Sequence, residues 1–103
     1  MNIIEGNSSN FNDIINDDLV LVDFFATWCG PCRMLSLVLE ELNSDRSDLK
    51  IVKIDVDQNS MIAKEYGIMS VPTLLLFKSG NLVSKQNGFM PKEELSSWIE
   101  SNR

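Results

Sequence analysis

Histidine is absent from this 103-residue chain, and cysteine occurs only twice, as Cys29 and Cys32. Each scarcity excludes something. Without histidine there is no imidazole base to activate a nucleophile and no imidazole switch near neutral pH. A closed zinc site takes four Cys/His ligands, so two thiols cannot supply one unless two chains share the metal. A four-cysteine iron–sulfur cluster meets the same shortfall, and no metal is expected. Basic residues are also few. Nine Lys and Arg against fifteen Asp and Glu leave a net charge of −6. Nucleic acid and anionic membranes are bound by neutralising phosphate with Lys and Arg, so neither is an expected partner. Apolar runs are short, and Leu74 to Phe77 falls far below what a bilayer span needs. Met1 to Gly6 has neither a charged leader nor an apolar stretch, which gives the expectation of a mature intracellular, cytoplasmic protein.

What is present suits one domain over residues 1–103. The chain is 44% hydrophobic and 23% charged, enough apolar material for a core that folds without disulfide staples. No repeat, linker or low-complexity stretch interrupts it. Asn2 to Ile4 suggests a short edge strand. Ser8 or Ser9 suits the start of a helix carrying Phe11, Ile14 and Ile15 at i, i+3, i+4 spacing. Leu19 to Phe25 reads as a strand buried on both faces. Pro31 stands in the first turn of a helix whose apolar stripe is Leu35, Val38, Leu39 and Leu42. Ile51 to Val56 is a second buried strand, and Asp57 suits the cap of a short helix ended by Gly67. Val71-Pro72-Thr73 opens the next strand, and Ser79-Gly80-Asn81 turns it into a hairpin near Leu82 to Gln86. Pro91, Glu93 and Glu94 open a last helix that buries Leu95, Trp98 and Ile99. The order β-α-β-α-β-α-β-β-α predicts an α/β fold with a central mixed sheet and helices on both faces.

The chemistry concentrates at Trp28-Cys29-Gly30-Pro31-Cys32. Cys29 falls just past a central strand and Cys32 inside the first turn of the next helix. Side chains three apart on a helix share a face, roughly 5–6 Å apart at Cβ, so a small adjustment closes or opens a disulfide between them. So short a loop restrains the unfolded chain little, which suits a reversible redox pair better than a structural staple. Unpaired N–H groups and the positive dipole end at the helix N-terminus favour a thiolate at Cys29. Cys29 is therefore the expected nucleophile and Cys32 the thiol that resolves the mixed disulfide. Gly30 and Pro31, between them, are expected to tune the redox potential. A static four-residue loop and two inert buried thiols are the alternatives.

In these segments the sequence closely resembles the thioredoxin family. Val22-Asp23-Phe24, Ala26 to Cys32, Lys53 to Asp57, Tyr66-Gly67-Ile68, Val71 to Leu74 and Phe77 to Gly80 match in order and spacing. Isomerase domains of the same fold typically carry Cys-Gly-His-Cys, and strong periplasmic oxidases Cys-Pro-His-Cys. The Cys-Gly-Pro-Cys form implies a thioredoxin fold and a protein-disulfide reductase. The resemblance implies that Asp23 takes and returns the proton of Cys32; the alternative is a buried ion pair with Lys53, which otherwise modulates Asp23. It implies a cis bond before Pro72, and a substrate-binding surface of Trp28, Val71, Pro72 and Gly88 around the nucleophile. It further implies no bound cofactor, electrons from NADPH through a flavin-dependent thioredoxin reductase, and a monomer. The clients it implies are ribonucleotide reductase, peroxiredoxins and methionine sulfoxide reductases. A dedicated protein with a narrow client or its own donor, or a non-catalytic interaction subunit, are the alternatives. Phe25, Leu37, Arg33, Met69 and Ser70 depart from the usual family residues, the last two at the substrate-facing rim.

Overall fold

A computed structural model describes residues 3–103. Its elements are β1 (Ile4–Glu5), α1 (Phe11–Ile14), β2 (Leu19–Phe25), α2 (Gly30–Asp45), β3 (Lys50–Asp55), α3 (Ser60–Glu65), β4 (Thr73–Lys78), β5 (Asn81–Asn87) and α4 (Lys92–Ser101). The strands form one sheet in the order β1-β3-β2-β4-β5. β2 runs parallel to β3 and antiparallel to β4, and β5 closes the sheet as an antiparallel edge. The predicted mixed sheet and element order are therefore observed. No helix of the described residues is long and apolar enough to cross a membrane.

The central place of β2 explains its unbroken apolar run, since a strand covered on both faces has no side to turn to water. Alternate residues serve two cores. Leu19 and Leu21 pack with Leu35, Leu39 and Leu42 of α2 and with Leu95 and Ile99 of α4. Val20, Val22 and Phe24 pack with Phe11 and Ile14 of α1 and Ile62 of α3. Helices thus cover both faces. Asp23 shares the face of Leu19 and Leu21, beneath α2.

Several local expectations are corrected. Helix α1 starts at Phe11, not at Ser8 or Ser9. The Asn7 side chain accepts N–H bonds from Ser9 and Asn10, which locks those residues into a turn before the helix. Asn59, not Asp57, precedes α3, because Asp57 is engaged elsewhere. Trp98 is half-buried against the α2–α4 core and donates to Ser84 Oγ at 3.1 Å, so its indole bridges α4 to β5. Strand β1 is Ile4–Glu5, and the predicted strand position at Asn2 lies outside the described residues. With Leu37 in place of the family's usual proline, α2 runs as one helix of 16 residues. Gly67 takes φ +64° after α3, the left-handed stop that the sequence predicts.

Candidate active site

The C-terminal end of β2 delivers the chain to the start of α2, and the two cysteines lie at that junction. Cys29 is the residue before the helix, in extended conformation, and Cys32 is in the first turn. Their sulfurs are joined in a disulfide, with Cα atoms 5.3 Å apart. Cys32 is the third residue of α2, so its N–H has no intrahelical partner, and it reaches Cys29 Sγ at 3.2 Å. Both cysteines are nearly covered, Cys29 at 4% and Cys32 at 2% exposure. Gly30 and Pro31, between them, are exposed.

A second loop faces the pair. The Val71–Pro72 peptide is cis, as the resemblance implied, and the Val71 carbonyl oxygen lies 3.8 Å from Cys29 Sγ. Pro72 is buried and Val71 half-buried. Gly88 sits behind this loop at φ +87° and donates its N–H to the Pro72 carbonyl at 2.8 Å. Thr73 anchors the same loop: its buried hydroxyl bridges the Ser70 carbonyl (2.7 Å) and Asn87 Oδ1 (3.0 Å). Trp28 is 68% exposed, which rules out a core role, and its indole N–H donates to Asp57 Oδ2 at 3.0 Å. A groove of about 180 Å³ runs between Trp28 and the Ile68–Val71 segment. Met69, on its rim, is 96% exposed.

Asp23 is fully buried, and neither carboxylate oxygen has a hydrogen-bond partner among the described residues. Burial without partners penalises the charged form and lifts its pKa to about 7, while the charge of Lys53 pulls the other way. The ion-pair alternative is not what the structure shows. Lys53 donates instead to Ser36 Oγ on α2, and its ammonium stands 4.5 Å over the Phe25 ring. Lys53 acts on Asp23 through space. It lines, with Cys32, Ser36 and Phe25, a cleft of about 180 Å³ that opens beside the resolving thiol. Among the described residues no group of three or more Cys, His, Asp or Glu is placed to hold a metal ion.

The structure thus brings Cys29, Cys32, Trp28, Val71, Pro72 and Gly88 to one end of the sheet, with Asp23 and Lys53 beneath. Sequence reasoning missed Asp57, Ser36 and Thr73. Asp57 carried a signal, a carboxylate next to a strand end, but it reads equally well as a helix cap. Ser36 carried none.

Comparison with known proteins agrees with this geometry. A family model described as Thioredoxin matches residues 2–101. The chain is similar to thioredoxin of Bacillus subtilis (strain 168), 47% identical over 103 residues and covering 99% of each chain. It is similar to thioredoxin of Listeria monocytogenes serovar 1/2a, 50% identical over 92 residues, covering 88% of this chain and 89% of the relative. A solved structure, a single-residue mutant of thioredoxin from Halobacterium salinarum NRC-1, superposes with a TM-score of 0.88. It is 40% identical to this chain, and the match covers 96% of this chain and 88% of that one.

Proposed function

The chain belongs to the thioredoxin family and is a thiol–disulfide oxidoreductase, and from that premise we propose that it reduces protein disulfides with Cys29 as attacking thiolate and Cys32 as resolving thiol. One observation carries the assignment of roles. Cys29 Sγ stands at the N-terminus of a 16-residue helix and accepts the first-turn N–H of Cys32 at 3.2 Å, a position that stabilises negative charge on that sulfur.

In the reduced chain the Cys29 thiolate attacks one sulfur of a client disulfide. The new S–S bond forms as the client's own bond breaks, and the departing client sulfur takes up a proton. Cys32 then gives its proton to the Asp23 carboxylate and attacks Cys29 Sγ, which breaks the mixed disulfide and leaves the Cys29–Cys32 disulfide. The second client sulfur is released as a thiolate, which takes up a proton as Asp23 gives up the one from Cys32. Two electrons and two protons pass to the client. Asp23 suits the proton role because burial holds its pKa at about 7, where it both accepts and returns a proton at neutral pH. Val71 offers its backbone beside the nucleophile, and Trp28 and the adjoining groove offer apolar contact to the residues flanking a client cysteine.

Disulfide-containing clients and a reductase follow from the family in general. We propose that electrons come from NADPH through a flavin-dependent thioredoxin reductase, that the chain carries no cofactor of its own, and that it works as a monomer. The proposed clients are ribonucleotide reductase, peroxiredoxins and methionine sulfoxide reductases. The proposed compartment is the cytoplasm, where a reductant of this kind is kept reduced. A purely non-catalytic docking role is not favoured, because both cysteines are present and paired at the helix start.

Insulin reduction tests the assignment. Cys29→Ser is expected to abolish turnover. Cys32→Ser is expected to leave a client covalently held on Cys29, visible as a mixed disulfide by mass. Turnover surviving Cys29→Ser, or trapping on Cys32 instead, overturns the roles.

A further inference from the structure

Glu5, Lys53 and Asp23 stand in one row across the sheet. Glu5 on β1 is in register with Lys53 on β3, and Lys53 is in register with Asp23 on β2. Partners in a parallel register share a face, so the row runs from an exposed carboxylate, through a half-buried ammonium, to a fully buried carboxylate. Lys53 therefore has two anions to choose from. Glu5 lies on the wet side, where a charge is easily solvated; Asp23 lies on the dry side, where it is not. A lysine with four rotatable bonds between two such sites relaxes outward unless something holds it. In this structure it pairs with neither. Its ammonium donates to Ser36 Oγ on the overlying helix and rests on the Phe25 ring.

We propose that Ser36 is a positioning residue: its hydroxyl, with the Phe25 ring as a floor, keeps the Lys53 ammonium on the inner side of the row, so that its charge bears on the buried Asp23 carboxylate. The proposal rests on the proton-acceptor reading of Asp23 given above and adds the residue that sets it. Coulomb interaction falls with distance and is screened by water, so a lysine released toward Glu5 loses most of its effect on a buried group. The other neighbours of Asp23 cannot take over. β4 supplies Leu74 at its register, and α4 gives this face Leu95 and Ile99. From α2, Cys32 is held in the disulfide and does not titrate, and Arg33 is turned to the Thr27 carbonyl at 3.1 Å.

The test is a carbon-13 titration of the Asp23 side-chain carboxyl in the oxidised protein, where neither cysteine titrates. Removing the charge with Lys53→Met is expected to raise the midpoint by about one pH unit. Ser36→Ala is expected to raise it in the same direction by about half as much, and Ser36→Thr, which keeps the acceptor, is expected to restore the parent midpoint. In the Lys53→Met background, Ser36→Ala is expected to add nothing, the signature of acting through Lys53. The proposal is overturned if Ser36→Ala leaves the midpoint in place or lowers it, if its shift persists without Lys53, or if Lys53→Met itself moves nothing. The titration needs no turnover. A chain that failed to reduce insulin would overturn the functional reading and still leave this result readable.

Discussion

On one face of the sheet, Val20, Val22, Phe24, Val52, Ile54, Leu75 and Phe77 pack beneath α1 and α3, and the buried polar residue on this face, Thr73 opposite Phe24, has its hydroxyl hydrogen-bonded. On the other face the same strands begin alike, with Leu19, Leu21 and Ile51, and then place Asp23 and Lys53 toward the active-site end. The first face is finished by three mutually packed rings, Phe11, Tyr66 and Phe77, with centroids 5.4–5.9 Å apart and tilted or edge-on geometry. The second gives up packing for an unpartnered carboxylate under the α2 N-terminus. One face is packed for stability, and the other carries an unpartnered titratable group at its active-site end. Local departures from good packing concentrate at the functional end.

The largest way to break this contrast is on the apolar face. Phe77→Ala is expected to cost about 3–5 kcal/mol in denaturant unfolding, equally at pH 5 and pH 8, because it removes a ring from a fully packed cluster. A pH-dependent loss would mean that the two faces are coupled.

Asp23→Asn is expected to act in the opposite direction. The folded pKa of about 7 lies above the unfolded 3.8, so between those values the folded state binds more protons. The Asp23 contribution to stability is therefore most favourable below about pH 4, falls as pH rises from there through 7, and is level above it. The asparagine variant escapes that loss. It is expected to be about 2–4 kcal/mol more stable than the parent at pH 8, to match it near pH 4, and to resolve mixed disulfides more slowly. Parallel unfolding curves for parent and variant at all pH values would remove Asp23 from the titrating side of the comparison.

Thr73 sharpens the contrast at smaller scale. It is as buried as Asp23, but its hydroxyl meets two partners. Thr73→Val is expected to cost about 0.5–1.5 kcal/mol at every pH, since it removes the hydroxyl that donates to the Ser70 carbonyl and Asn87 Oδ1. A buried polar group that is satisfied stabilises; one left unpaired does the reverse. Calorimetry of this variant beside Asp23→Asn would show the two signs directly, and a gain in stability from Thr73→Val would contradict the account.

Legibility in the sequence followed the range of the interaction. Leu19 to Phe25 announced a central strand because burial on both faces leaves only apolar residues, and Asp23 announced itself by breaking that run. The Cys-Gly-Pro-Cys turn was readable because its geometry is complete within four residues. The start of α1 was misplaced by a few residues, since the Asn7 turn competes with the helix for the same N–H groups. Asp57 was read as a cap because local rules apply to neighbours, whereas its partner Trp28 lies 29 positions away. Lys53 was legible as a modulator of Asp23 because it too interrupts an apolar strand, but its hydrogen-bond acceptor, Ser36, is 17 positions distant on another element.

The order of strands and helices, the redox pair, and the presence of one costly buried carboxylate were thus set along the linear chain. They follow from periodicity, from backbone donors at a helix start, and from desolvation, all of which act between near neighbours or on single residues. What stands around the pair was settled by the fold. Val71 reaches Cys29 across 42 positions, Gly88 braces Pro72, and Ser36 accepts from the Lys53 ammonium. Those contacts depend on which strands become neighbours and how α2 lies over them, and no local pattern encodes that choice.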